Sequence, residues 1–113
     1  MAIRRLEMLA ARSREIEPDM SVALSVIRLE VTRGRTINTN SRAMDEKRRD
    51  LYMDIQKLLR CIGVYNGEID GEQTSTCHAV KNFQEAHGLV PDGIIGQKTL
   101  VSMEEAFEKA KSH

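Results

Sequence analysis

Two stretches of this chain share one turn pattern: residues 63–71 read GVYNGEIDG, and residues 88–96 read GLVPDGIIG. Both place Gly beside Asn or Asp, the residues that most readily accept the positive φ angles of tight turns. Each stretch follows an amphipathic segment and leads through a Thr into another one. The pattern therefore predicts helices joined by compact, specified loops.

Three amphipathic segments surround these two stretches. Their apolar residues recur at helical spacing: Met44, Leu51, Ile55, Leu58, Leu59 and Ile62 in the first, Ala79, Val80, Phe83 and Ala86 in the second, Leu100, Met103, Ala106, Phe107 and Ala110 in the third. Gly63 stands where helices commonly end in a left-handed residue. We expect Ser41 to cap the first helix and Thr74, Ser75 or Thr76 to cap the second. The fold class predicted is all-α, a small three-helix bundle.

The N-terminal part of the chain permits two interpretations. Residues 3–16 have the pattern of an amphipathic helix, and Pro18 then interrupts it. Residues 20–31 form either a well-buried helix or a strand whose side chains alternate, with a hairpin over residues 27–39. We favour the helix. Because residues 36–42 are polar and turn-forming, we expect a helical accessory region over residues 1–42 and a bundle domain over residues 43–113.

Composition limits the size of the core and the class of partner. The chain has 113 residues, 41% of them apolar but only four aromatic, so the core must be aliphatic. The formal charge is zero, divided as about +3 over residues 1–50 and −3 over residues 51–113. A dedicated nucleic-acid binder concentrates basic charge on one face, so this modest division argues against nucleic acid as the partner.

The sequence shows no membrane span and no signal peptide. No apolar run approaches the roughly 20 residues that cross a bilayer, and the basic start at residues 1–5 is not followed by an unbroken apolar region. The protein then works in the cytoplasm, is exported by other means, or belongs to something longer. Two cysteines, Cys61 and Cys77, are too few for a disulfide framework, and we expect both to be thiols.

A set of residues between about Leu51 and Met103 carries a resemblance to a known family. The matching positions are Ile55 to Gly63, Tyr65, Gly67, Ile69 to Gly71, Thr76, Ala79, Val80, Phe83, Gln84, Gly88, Leu89, Asp92, Gly93, Gly96 and Thr99. In order and spacing this stretch resembles the peptidoglycan-binding domain family, a three-helix module of bacterial and phage cell-wall hydrolases. Two departures stand out: residues 72–75 are one residue shorter than usual, and Gln97 replaces the usual Pro.

The resemblance implies non-catalytic binding of bacterial peptidoglycan, through its glycan or its stem peptide, which targets or anchors a cell-wall hydrolase or an associated protein. It implies no cofactor, and a location in the cell wall or periplasm if the chain is exported, or in a phage lysis protein. Two alternatives stay open: a protein-interaction domain that keeps the fold without glycan binding, or a fragment of a muramidase or lytic transglycosylase. The amphipathic segments of residues 1–42 need a surface to cover them, so we expect this region either to pack on the bundle domain or to form a homodimer.

Five residues are candidates for ligand contact. Tyr65 could stack on a sugar face or plug the end of the bundle. Asp70 and Asp92 could accept hydrogen bonds from sugar hydroxyls or from stem-peptide amides, or they could bond their own loop backbone. The amides of Asn66 and Gln84 suit N-acetyl groups, although Gln84 follows a core Phe and could brace a loop instead.

Catalytic and metal chemistry find little support in the sequence. Residues 17–30 faintly resemble the muramidase helix that ends in a catalytic acid, here Glu30, which would have to hold a proton beside the leaving oxygen. About 45 residues before the module are too few for such a catalytic domain, so a solvent-facing Glu30 is the preferred interpretation. His78, His87 and His113 lack ligand spacing, and we expect no metal site.

Overall fold

The computed structural model describes residues 21–111 of the chain. Its elements are α1 (residues 21–34), β1 (Ile37–Asn38), α2 (Glu46–Ile62), α3 (Gln73–Ala86), β2 (Ile94–Ile95) and α4 (Gln97–Lys111). The fold is all-α, with one two-residue pair of strands beside the helices. The helix predicted over residues 3–16 lies outside the described residues.

The ambiguous segment is a helix, as favoured from the sequence. Ala23, Leu24, Ile27 and Val31 are all buried, at the spacing of one helical face, while Leu29 is 54% exposed. A strand would have placed Leu29 on the same face as Ile27 and Val31. The strand alternative is therefore wrong for this segment, because only a helix buries the first four residues and exposes the fifth.

The chain leaves α1 through Arg35, whose φ of 74° is left-handed, and enters β1. This strand pairs with β2 in an antiparallel register, Ile37 opposite Ile95 and Asn38 opposite Ile94. The alternative of a hairpin over residues 27–39 is wrong, because β1 takes its partner from the far end of the sequence. Ile37 and Ile95 are both buried by this pairing.

Helix α2 is the centre of the bundle and packs against both α3 and α4. Its first residue follows Asp45, whose Oδ1 accepts the Arg48 N–H at 2.8 Å. At its other end Gly63, with a φ of 98°, donates its N–H to the carbonyls of Leu59 and Arg60. The end at Gly63 was predicted correctly. The cap predicted at Ser41 was wrong, because the helix begins later, at Glu46, and Asp45 is its cap.

The expected cap of α3 was also wrong. The helix begins at Gln73 after Glu72, whose side chain makes no capping hydrogen bond. Thr76 lies within the first turn, where its hydroxyl donates to the Glu72 carbonyl at 2.7 Å. Thr99 likewise lies inside α4, and both Thr side chains are buried. Thr76 therefore stabilises the start of α3 from within the helix, whereas Thr99 Oγ1 accepts a hydrogen bond from Gln84 Nε2 at 3.2 Å.

One hydrophobic core joins the four helices of residues 21–111. It contains Leu24, Ile27, Val31, Ile37, Tyr52, Ile55, Leu58, Leu59, Ala79, Val80, Phe83, Ile95, Leu100, Met103, Ala106 and Phe107. On the surface, the Arg28 guanidinium contacts Glu104 Oε2 at 2.6 Å and links α1 to α4. No disulfide joins Cys61 to Cys77. Within residues 21–111, no helix has the length and apolar character needed to cross a membrane.

Candidate functional site

The first loop, residues 63–72, is organised by one buried amide. Gln56 of α2 is fully buried, and its Oε1 accepts the N–H groups of Asp70 and Gly71 at 3.0 and 2.9 Å. Its Nε2 donates to Asp70 Oδ1 at 2.9 Å, and the same oxygen accepts the Glu72 N–H. Gly71 has a φ of 70°, so the loop closes on a left-handed residue.

The second loop, residues 87–96, is built in the same way. Gln84 of α3 is 1% exposed; its Oε1 accepts the Gly93 N–H at 2.9 Å, and its Nε2 donates to Asp92 Oδ1 at 3.1 Å. Asp92 Oδ1 also accepts the Ile94 N–H, and Gly93 has a φ of 75°. The repeated turn pattern of the sequence is thus two copies of one construction, in which a helical Gln holds an Asp-Gly turn.

These contacts place the two carboxylates in loop-building roles. Each accepts the N–H two residues ahead, which is the backbone-bonding role considered from the sequence. The Glu72 N–H, and after it the Gln56 amide, lower the pKa of Asp70 below its usual value. Asp70 is therefore held as a carboxylate that the turn needs. A ligand role for Asp70 and Asp92 stays a prediction.

Tyr65 and Asn66 belong to the first loop. The Tyr65 ring packs against the core, and its hydroxyl donates to the Glu68 carbonyl. A Cβ at Gly67 would come within 2.6 to 2.9 Å of the Tyr65 ring and hydroxyl, so Gly67 is needed for the ring to lie there. Asn66 is exposed beside it. Sugar stacking by Tyr65 and amide contacts by Asn66 both stay predictions.

The second loop covers a groove of about 370 Å³. Its lining combines apolar and polar side chains: Thr36, Gln84, Leu89, Val90, Asp92, Ile94, Gly96, Gln97, Lys98 and Thr99. Val90 is 73% exposed, the largest exposed fraction among the large apolar side chains of the described region. We call this the second-loop groove. It offers an apolar wall with a cation and a carboxylate at its margin.

Another groove, of about 310 Å³, lies where α2 and α3 end against α4. It is lined by Ile62, Val64, His87, Ser102, Glu105, Ala106, Lys109 and Ala110. None of the five predicted ligand residues is among them. The second-loop groove includes two of the five, Gln84 and Asp92, which are hydrogen-bonded to each other, while Tyr65, Asn66 and Asp70 stay in the first loop.

Sequence reasoning missed three residues that shape these loops: Gln56, Thr39 and Asn40. Gln56 had a signal, because an apolar-Gln pair precedes each Asp-Gly pair, once at residues 55–56 and again at residues 83–84. Thr39 and Asn40 had none. They reach the second loop from more than 50 positions away in the sequence.

The catalytic candidate Glu30 is half-buried on α1. It lines a small groove of about 210 Å³ together with Asp45, Lys47, Arg48 and Leu51. Asp45 is already engaged as the cap of α2. A catalytic role for Glu30 stays a prediction. Within residues 21–111, no group of three or more His, Cys, Asp or Glu side chains is arranged to hold a metal ion.

Comparison with protein families identifies the part of the chain that carries both loops. Residues 48–103 match the model of the family described as "Putative peptidoglycan binding domain". This segment belongs to that family. It runs from the first turn of α2 to the middle of α4, so the two Gln-held loops of the peptidoglycan-binding segment lie wholly within the match. Helix α1 and residues 36–40 lie outside it.

The chain is also similar to two curated proteins. Two proteins named spore cortex-lytic enzyme, both from Bacillus cereus, are 38% identical to this chain over 61 residues. The alignment covers 53% of this chain and 24% of each relative, so the chain spans about a quarter of the length of the curated relatives that it matches. No solved structure matches the chain.

Proposed function

We propose that the protein binds bacterial peptidoglycan without cleaving it and thereby targets or anchors a cell-wall hydrolase. The observation that carries the proposal is the family match over residues 48–103, which contains both ordered loops. The similarity to two spore cortex-lytic enzymes supports a hydrolase context. The glycan and the stem peptide are both candidates for the part of the polymer that is bound.

We assign the contact to the second-loop groove. Its apolar wall includes the exposed Val90 and can lie against the apolar face of a sugar ring or the methyl group of an alanine. Lys98 and Asp92 at the margin suit the carboxylate, amide and hydroxyl groups that peptidoglycan presents. Gln84 stabilises the loop that forms the groove, because its amide nitrogen donates to Asp92 and its amide oxygen accepts the Gly93 N–H.

Co-sedimentation with purified sacculi tests this assignment. We expect the full chain to pellet with sacculi at low salt, and Val90→Asp to reduce the pelleted fraction several-fold by placing a charge on the apolar wall. Val101→Asp is the matched control, because Val101 is also exposed, at 40%, but lies outside the groove. Failure of the wild-type chain to pellet, with helical circular dichroism intact, would sink the proposal and favour a protein-interaction domain.

One shallow groove gives weak affinity, so a second attachment point would strengthen retention on a polymer with many repeats. The homodimer predicted through residues 1–42 would supply it, and it stays a prediction. Light scattering of the full chain over a range of concentrations measures its mass directly. If the measured mass is that of a single chain at every concentration, the chain does not dimerise. The second attachment point would then have to come from a tethered hydrolase.

A further inference from the structure

A short segment outside the family match touches the second loop. Residues 36–40, which we call the strap, comprise β1 and the residues on either side of it. Thr39 donates both its N–H, at 3.0 Å, and its hydroxyl to the Gly93 carbonyl. Asn40 Nδ2 donates to the Asp92 carbonyl at 2.8 Å. The strap therefore donates hydrogen bonds to both backbone carbonyls of the Asp92-Gly93 turn. Gln84 accepts the Gly93 N–H of the same turn.

The strap is itself fixed from two helices. The Tyr52 hydroxyl of α2 donates to the Asn38 carbonyl at 3.2 Å, and Gln73 Nε2 of α3 donates to the Thr39 carbonyl at 2.7 Å. The Cys77 thiol donates to Asn40 Oδ1 at 3.3 Å. The strap is thus hydrogen-bonded to α2 and α3 as well as to the second loop, so it links the loop to both helices.

The fit between strap and loop is close. A Cβ at Gly93 would stand 3.1 Å from Asn40 Nδ2 and 3.2 Å from Cys77 Sγ, so a larger residue would press on Asn40, and the φ of 75° also favours glycine. Thr36, at the start of the strap, lines the second-loop groove directly. Asn40 does not line the groove and acts on it only through the loop.

We infer that the strap is a positioning element of the peptidoglycan interface: Asn40 and Thr39 fix the Asp92-Gly93 turn and so set the shape of the second-loop groove. The inference rests on the proposed function. It adds a positioning segment from outside the family match, because Thr36 and Asp92 of the strap-held turn line the groove. In this protein the binding unit consequently begins at residue 36 or earlier.

Asn40→Ala and Asn40→Asp in the full chain test the inference. Neither variant can donate a hydrogen bond to the Asp92 carbonyl, while the Asp variant keeps the size of the side chain. We expect both to speed amide hydrogen exchange at Thr39 and Gly93. We also expect both to weaken sacculus binding about fivefold, the effect of losing the one hydrogen bond that Asn40 donates to the second loop. Arg28→Ala is the control, because it breaks another contact from the N-terminal region without touching the strap.

The two readouts separate the possible results. Faster exchange with weaker binding, and no change for Arg28→Ala, supports the inference. Faster exchange with unchanged binding overturns it, because the loop then binds without being positioned. Unchanged exchange in both Asn40 variants overturns it as well. If the wild-type chain does not pellet, the proposed function fails, and the exchange measurement alone decides whether the strap holds the loop.

Discussion

Each Asp-Gly turn depends on one buried glutamine. Gln56 uses both ends of its amide: the oxygen accepts two backbone N–H groups, and the nitrogen donates to the Asp70 carboxylate. In the second turn the Gln84 oxygen accepts one backbone N–H, that of Gly93, and its nitrogen donates to the Asp92 carboxylate. A buried polar side chain is stable only when its partners are present, so side chain and turn depend on each other. Glutamine here is a structural requirement of the loop rather than a surface residue.

We expect Gln56→Ala to lower the free energy of unfolding by about 2 to 4 kcal/mol, because the Asp70 and Gly71 N–H groups lose their acceptor and a cavity is left. Urea unfolding followed by circular dichroism measures the loss. Gln97→Ala is the control, since Gln97 is exposed on α4, and we expect a change within about 0.5 kcal/mol. If Gln56→Ala lowered the free energy of unfolding by no more than Gln97→Ala does, the loop would not need the Gln56 amide.

Asp70 gives the first loop a dependence on pH. Its pKa in the folded chain is lowered, first by the Glu72 N–H and then by the Gln56 amide, while an unfolded Asp has a pKa of about 3.9. The unfolded chain therefore takes up this proton first, and the stabilisation that is present above pH about 4 is lost as the pH falls through the folded pKa.

We expect Asp70→Asn to make stability depend less on pH below about pH 4, because asparagine has no carboxylate that could take up a proton. The measurement is the urea midpoint of wild type and variant at pH 6 and pH 3. The wild-type chain should lose more stability between the two than the variant loses. Equal losses in both proteins would contradict the role of Asp70.

At the scale of elements, local patterns predicted the helices and missed the contacts at which α2 and α3 begin. The apolar spacing of α2, α3 and α4 fixes their buried faces, and Gly63 ends α2 as expected. The caps at Ser41 and at Thr74 to Thr76 were wrong. Residues 37–38 pair with β2, and α2 begins only after Asp45; α3 begins at Gln73, directly after Glu72, whose N–H is accepted by the Asp70 carboxylate that Gln56 holds. Such pairings join distant residues, so no local window contains them.

The same reason limits what the sequence says about the site. The turn role of Asp70 and Asp92 follows from Asp standing before Gly, and it was anticipated. The second-loop groove was not, since it requires Thr36 to lie beside residues 89–99. Local sequence therefore describes how each loop is built, whereas the surface between a loop and its distant neighbour follows only from the fold.

For the whole molecule, the core crosses the boundary predicted between residues 42 and 43. Leu24, Ile27 and Val31 of α1 and Ile37 of β1 share one cluster with residues of α2, α3 and α4. A separate accessory region would instead have its own core. The division into residues 1–42 and 43–113 stays a prediction, and the shared core points to one cooperative unit over the described part of the chain.

Ile27→Ala distinguishes one unit from two. Ile27 is fully buried, so we expect the variant to lose about 2 to 5 kcal/mol. Leu29→Ala, on the exposed side of the same helix, should lose less than about 1 kcal/mol. Native-state hydrogen exchange at Val31 in α1 and Val80 in α3 locates the loss. If α1 and the family segment unfold together, Ile27→Ala lowers the opening free energy equally at both amides. A loss confined to Val31 would instead establish the boundary, because α3 would then keep its stability without α1.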